Sequence, residues 1–356
     1  MLAALLYGQE DLRLEQVPDP TPAEGEVVIR VAAATTCGTD LKVWRRGGHA
    51  KMLKPPTLFG HEVAGEIVAL GHGVRGWRMG DRVVANNSAP CLDCFFCHKQ
   101  EYSLCSNLIF NNGTFAEYLK IPAAIVQQNL LPIPADLPAA WAAMTEPLAC
   151  VLHGVDRSNV KAGDRVVVIG DGAIGLMFVA VLAAGNGQWR SQAGSPFNQR
   201  PSEIFLFGGS DQRLTIGQHL GASQIFNHRQ IDDMPTLVEA LTDSWGADIV
   251  IEATGVPSVW ETAVACARPG ATVNLFGGCP RNSHITVNTE LLHYSELTLK
   301  GVFHNTPHHV RQALALIASG TIALEQLISA DQPLSQLEQV FQDMKARKVI
   351  KVSIQP

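Results

Sequence analysis

The sequence predicts a mixed α/β chain: a β-rich first part to about residue 151, then a doubly wound parallel sheet over about 152–303. Three observations predict it. The apolar pattern changes from short strand-like runs to strand–helix alternation near Gly163. A glycine-rich turn, G-D-G-A-I-G, joins an apolar strand to an apolar helix at residues 170–175. Four cysteines fall within residues 91–105, inside the first part.

The elements follow in order. Runs at 27–32, 62–69, 82–85 and 115–121 are rich in β-branched and apolar residues and are separated by Gly- and Pro-rich turns, which is strand punctuation. From Gly163 onward, strands at 165–169, 203–207, 248–253, 271–276 and 297–303 alternate with helices at 173–184, at 211–220 and from Ser258. That alternation is the signature of parallel strands with helical crossovers. Two amphipathic helices, 307–319 and 334–345, and a β-like run at 349–354 close the chain.

Composition narrows the class. The 356 residues are 46% hydrophobic and 17% charged, enough for two domains each with its own core. Net charge is −6 and no Lys/Arg-rich run occurs, so a nucleic-acid partner is not expected. The first ten residues lack a basic region and a signal-length apolar run, and the apolar stretch 174–184 is too short for a bilayer, so the expected location is the cytoplasm, with no membrane partner.

Cys91, Cys94, Cys97 and Cys105, spaced by two, two and seven residues, can wrap one tetrahedral zinc with no open position, which makes that site structural. The competing reading, a disulfide cluster, would need very small strained loops and belongs to short secreted chains. Cys150, Cys266 and Cys279 remain as buried thiols.

A second donor set lies outside this lobe. Cys37 sits in C-G-T-D, and Gly60, His61, Glu62, Gly65, Gly71 and Val74 form G-H-E-x-x-G-x-x-x-x-x-G-x-x-V. With the four-cysteine lobe some thirty residues later, the chain resembles the zinc-dependent medium-chain alcohol dehydrogenases nearly end to end. The resemblance implies a GroES-like catalytic domain, a Rossmann cofactor domain, and a return of residues 304–356 to the first domain. It also implies two zinc ions per chain, a small-molecule alcohol or ketone substrate, and a homo-oligomer, tetramer or dimer.

The same resemblance assigns roles. Cys37 and His61 hold the catalytic zinc with a carboxylate, either Glu146 in T-E-P-L-A-C or Glu62. Asp40 orients His61. Thr39 hydrogen-bonds the substrate oxygen. The relay histidine of many relatives is here Lys42, which would bind cofactor or substrate oxygens or face solvent. A zinc Lewis acid lowers the pKa of an alcohol, and a nicotinamide accepts its hydride. A Glu-type third ligand together with C-G-T-D is most similar to the sorbitol and threonine dehydrogenase branch, which favours polyols, sugar alcohols and amino alcohols. His304 falls where sorbitol dehydrogenases bind substrate, and Trp44 is either a pocket lining or core.

In the dinucleotide turn, Gly170 permits the bend, Gly172 lets the backbone approach the pyrophosphate and Gly175 allows close helix packing, with Ala173 and Ile174 opening the helix. Leu275 and Phe303 complete the expected cofactor contacts. NAD-selective relatives carry an acid at the end of the second strand. Gly208 stands there, leaving Ser210 and Arg213 to receive a 2′-phosphate, so NADP is favoured over NAD. Asp211 opposes that choice, and Gly208→Asp is expected to restore NAD. Residues 186–201 lengthen an αβ connection beyond the usual few residues, as a surface insertion or as a flap or subunit contact using Trp189, Arg190 and Arg200. Two alternatives complete the reading: a zinc-free quinone or carbonyl reductase, which would lack Cys37 and the cysteine lobe, and a non-catalytic zinc-stapled binding protein, which has no use for a second donor set.

Overall fold

The computed structural model describes residues 1–48, 53–185 and 200–356. The chain divides into two compact units. The first comprises 1–149, 305–319 and 324–356, and the second 150–304 with 320–323.

The first unit is built on a seven-stranded sheet in the order Leu130–Pro132, Arg82–Ala85, Val63–Leu70, Val27–Thr35, Lys351–Gln355 and Ile328–Pro333, with Tyr118–Ile121 also pairing with Val27–Thr35. Val27–Thr35 is its axis. It runs antiparallel to Val63–Leu70, to Tyr118–Ile121 and to Lys351–Gln355. The carboxy-terminal strand therefore enters this sheet beside the strand that leads into Cys37. The core beneath is aromatic. Trp44 is fully buried and stacks on Phe341 at 5.6 Å between centroids, while Phe59 and Phe115 pack on the same ring at 5.7 and 6.2 Å. Such pairs add about 0.5–1.5 kcal/mol each beyond their buried area. Of the two places open to Trp44, the structure gives it the core.

The second unit holds six parallel strands in the order Gln224–Asn227, Glu203–Gly208, Arg165–Ile169, Ala247–Glu252, Ala267–Leu275 and Thr298–Gly301. The order reverses between Arg165–Ile169 and Ala247–Glu252. In open sheets of this kind, ligands bind outside the carboxyl ends of the strands at that reversal. The helix Ala173–Ala184 is apolar on every side because it is buried on every side, from Gly175 to Leu182.

Several elements were not legible in the sequence. The strand Leu2–Gly8 is almost continuously apolar and so shows no alternation, its hairpin partner Asp11–Gln16 is short, and the edge strands Gln224–Asn227 and Ile328–Pro333 had too few apolar residues for a period to show. The strand Ala267–Leu275 starts four residues before the expected run and absorbs Pro269 and Gly270 through a register shift against Ala247–Glu252. The insertion with Trp189 and Arg190 lies outside the described residues. Arg200, at its end, donates to the carbonyl of Ala183 at 2.6 Å.

Candidate active site and metal centres

The four-cysteine lobe is compact. Sulfur–sulfur distances are 3.4 Å for Cys91–Cys105, 3.6 Å for Cys94–Cys97, 3.9 Å for Cys94–Cys105 and 4.0 Å for Cys91–Cys97. A tetrahedron with zinc–sulfur bonds of about 2.3 Å has edges of about 3.8 Å, so the cage fits that ion. All eight cysteines are free thiols. Backbone amides of Cys97 and Ser106 pull the Cys94 thiol down to about 5, whereas burial pushes Cys97 up. Thiols this close cannot all ionise without a cation, which is the electrostatic demand a metal meets.

The second donor set is assembled by two turns of the first unit. Cys37 is the N-cap of the helix Gly38–Arg46. Its sulfur accepts from the Thr39 amide at 3.4 Å, and its own amide donates to Asp40 Oδ2 at 3.0 Å. The other oxygen of Asp40, Oδ1, holds His61 Nδ1 at 2.7 Å, leaving the second ring nitrogen as the available ligand. Burial opposes a charged imidazole here, but the adjacent Asp40 carboxylate outweighs it and raises the His61 pKa well above its ordinary value. The family resemblance implied this orienting role for Asp40; its simultaneous capping of the helix is new.

Glu62 is fully buried beside His61, and donor atoms of Cys37, His61 and Glu62 lie within 4.8 Å of one another. Its Oε2 accepts from Thr35 Oγ1 and from Lys351 Nζ at 2.6 Å, while Oε1 is buried with no hydrogen-bond partner among the described residues. A buried carboxylate with one oxygen unpartnered, gathered with a thiol and an imidazole, is a donor set that suits a cation. Glu146 is not gathered into this set. Its Oε1 receives Asn305 Nδ2 at 3.5 Å, and Asn305 in turn pairs with Asn86. Thr39 is half-buried two residues after Cys37, and Lys42 is half-buried on the same helix.

Sequence reasoning missed Lys351 and Thr35. Lys351 is 1% exposed and also donates to the carbonyl of Thr36 at 2.7 Å. A lysine at an inward position of a β-like run, K-V-S-I, was the available signal. Nothing in one sequence could say that this strand lies beside Val27–Thr35.

The dinucleotide turn lies in the second unit, between Arg165–Ile169 and Ala173–Ala184. A Cβ on Gly175 would sit 1.8 Å from the Gly170 carbonyl, so only glycine lets the helix approach. A Cβ on Gly172 would meet nothing within 4 Å, and no side chain caps this helix. Open space above uncapped amides is a cradle suited to a pyrophosphate, so the turn fits a dinucleotide. Ala173 and Ile174 are half-buried at the helix start. Leu275 ends its strand 8% exposed, and Phe303 is 39% exposed with its ring tilted on His304 at 5.6 Å. The His304 carbonyl accepts from His153 Nδ1 at 2.8 Å.

At the end of the second parallel strand the structure alters one expectation. Gly208 is closely covered: a Cβ there would lie 2.5 Å from Cβ of Asp171 and 2.8 Å from its carboxyl carbon. Gly208→Asp would collide with Asp171, so it cannot serve as a simple switch of cofactor. Ser210 is the N-cap of the helix Asp211–His219, Arg213 is half-buried on it, and Asp211 accepts from Asn227 Nδ2 at 2.7 Å.

Comparison with known proteins bears on the assembly. Residues 23–135 match the alcohol dehydrogenase GroES-like domain, and residues 201–319 match the zinc-binding dehydrogenase family. The chain is 31% identical to a sorbitol dehydrogenase of Halalkalibacterium halodurans, over 98% of this chain and 97% of that one. The chain belongs to the zinc-dependent medium-chain alcohol dehydrogenases. It is also 31% identical to an L-threonine 3-dehydrogenase of Pyrococcus horikoshii, covering 97% of this chain and 94% of that one. Among solved structures, a zinc-binding dehydrogenase of Sinorhizobium meliloti bound to NADP superposes with a TM-score of 0.86 at 28% identity, covering 100% and 99% of the two chains. A 2R,3R-butanediol dehydrogenase of Bacillus subtilis gives 0.83 at 25% identity, with 100% and 99% covered. Among the described residues, no helix is long and apolar enough to cross a membrane.

Proposed function

We propose that this chain is a zinc-dependent, NAD(P)-linked dehydrogenase that oxidises a secondary hydroxyl of a polyol, sugar alcohol or amino alcohol to the ketone, and runs the reverse reduction. The observation that carries it is the charge balance around Cys37, His61 and Glu62. With Cys37 as thiolate and His61 neutral, the forms in which they bind a metal, the site and its immediate surround hold three anions, Cys37, Asp40 and Glu62, against one buried cation, Lys351. The residual formal charge of two negatives is what a divalent ion neutralises.

When bound, zinc lowers the pKa of a substrate hydroxyl and the nicotinamide ring accepts the hydride. The chain's residues do the rest. Asp40 fixes the ring of His61, and Lys351 and Thr35 hold one oxygen of Glu62 so that the other is presented; to the Thr39 hydroxyl falls the hydrogen bond to the substrate oxygen, as the family resemblance implies. Of the two candidate carboxylates, Glu62 is assigned as third donor at rest because it is gathered with Cys37 and His61, while Glu146 is engaged by Asn305. The polyol and amino-alcohol preference rests on the sorbitol and threonine dehydrogenase relatives. The same reading carries a second zinc on Cys91, Cys94, Cys97 and Cys105, and a homo-oligomer, dimer or tetramer, working in the cytoplasm.

The test is a panel of polyols, secondary alcohols, amino alcohols and sugar phosphates, scored by reduced-nicotinamide absorbance with each cofactor. Turnover of a polyol or amino alcohol that stops on zinc chelation and returns on zinc addition supports the reading. Zinc-loaded protein inert towards the whole panel overturns it.

A further inference from the structure

Gly208 supplies no side chain at the end of the second parallel strand, yet the place a side chain there would fill is not empty. Asp171, the second residue of the dinucleotide turn, is 8% exposed and reaches across from the neighbouring strand end. The two strands are in register, Ile169 beside Phe207, so residues 170 and 208 emerge side by side at the carboxyl edge of the sheet, and the next residue, Asp171, has its Cβ 2.5 Å from where a Cβ on Gly208 would lie. Asp171 Oδ2 accepts two backbone donors, Gly209 N–H and Ser210 N–H, each at 2.8 Å. Its Oδ1 accepts no hydrogen bond that the described residues supply.

Resting on the nicotinamide-dependent reading above, we infer that Asp171 is the residue that selects NAD over NADP, standing in from the first turn for the acid absent at 208. Two consequences of its position favour this. In this fold the adenosine ribose lies between the pyrophosphate turn and the end of the second strand, and a carboxylate there accepts the ribose hydroxyls. Asp171 presents Oδ1 at that edge. The amides of Gly209 and Ser210, at the start of the helix Asp211–His219, would otherwise be the donors for a 2′-phosphate. They are already taken by the chain's own carboxylate, which would also repel the phosphate. Ser210 and Arg213, from which the sequence favours NADP, therefore flank a position that already holds a negative charge. Asp211 is drawn to Asn227 and does not fill this role.

The experiment measures binding, not turnover. Dissociation constants for NADH and NADPH are obtained by fluorescence titration of wild type, Asp171→Asn, Asp171→Ala and the pair Asp171→Gly with Gly208→Asp. Wild type is expected to bind NADH more tightly. Asp171→Ala should shift the NADH/NADPH ratio towards NADPH by at least about tenfold, the order set by removing one like charge a few ångströms from the phosphate. Asp171→Asn, which keeps the shape, should move the same way, and the double variant should restore the preference for NADH. Wild type binding NADPH as tightly as NADH, or a ratio unchanged in both single variants, overturns the inference and leaves the dehydrogenase reading intact. Failure of wild type to bind either nucleotide overturns both.

Discussion

Replacing Lys351 with methionine separates the ion pair from the packing of its stem. The ammonium is fully buried and makes two contacts, to Glu62 Oε2 at 2.6 Å and to the Thr36 carbonyl at 2.7 Å. Methionine fills most of the volume, so the loss is chiefly electrostatic. Removing one partner of a buried pair costs about 3–5 kcal/mol, because the remaining charge is left uncompensated. If Glu62 faces a zinc ion, that cation takes over most of the compensation. The cost in zinc-loaded protein should then fall to about 1–3 kcal/mol, that of leaving the Thr36 carbonyl unmet. Burial opposes the charged lysine, but Glu62 outweighs it and raises the Lys351 pKa in the folded state. A cation whose folded pKa lies above its unfolded value of about 10.4 contributes fully below that value and loses its contribution as pH rises through the folded pKa. The difference between wild type and variant should therefore be flat from pH 7 to about 10 and shrink above it. Urea unfolding of the first unit, with chelator and with saturating zinc, reads both numbers. Adding Glu62→Gln to Lys351→Met in chelated protein should recover about 0.5–3 kcal/mol, the range of coupling between residues in contact. A cost below about 1 kcal/mol in chelated protein, or the same cost with and without zinc, would refute the reasoning.

Three further outcomes follow from the geometry. Asp40→Asn should weaken zinc binding at the Cys37 site by about 10–100-fold, because the amide holds His61 less firmly, while the four-cysteine lobe keeps its metal; competition with a chromogenic chelator measures it, and unaltered affinity would remove Asp40 from the site. Cys94→Ser should lower stability and cost one zinc per chain, since such lobes fold with their metal, and thermal unfolding with metal analysis checks both. Gly175→Ala forces a Cβ to 1.8 Å from the Gly170 carbonyl, so nucleotide binding should be lost with zinc content unchanged; retained NADH fluorescence enhancement would count against the assigned turn.

Much of this architecture was legible because local chemistry and tertiary role coincide. The strand Arg165–Ile169, the glycines after it and the helix Ala173–Ala184 are consecutive, so their physics is readable from the chain. The four cysteines lie in one loop, and their spacing alone suggests a shared ion. What stayed hidden depends on residues far apart in sequence. Lys351 meets Glu62 across 289 positions because Lys351–Gln355 pairs with Val27–Thr35, and no period announces that pairing. Asp171 reaches Gly209 and Ser210 across 38 and 39 positions because two parallel strands end together. Counting along the second strand finds a missing acid at 208, but only the sheet brings another beside it. Glu62 and Glu146 were both open as third donor on paper, and their surroundings differ in the structure: Glu62 meets Thr35 and Lys351, Glu146 meets Asn305.

The central claim is that Cys37, His61 and Glu62 hold a catalytic ion separate from the one in the cysteine lobe. Zinc content and turnover, measured together on wild type and Cys37→Ser, test it most directly. Wild type should hold two zinc ions per chain, and Cys37→Ser one zinc, with an unchanged fold and no turnover. One zinc per chain in wild type, with Cys37→Ser fully active, would contradict it.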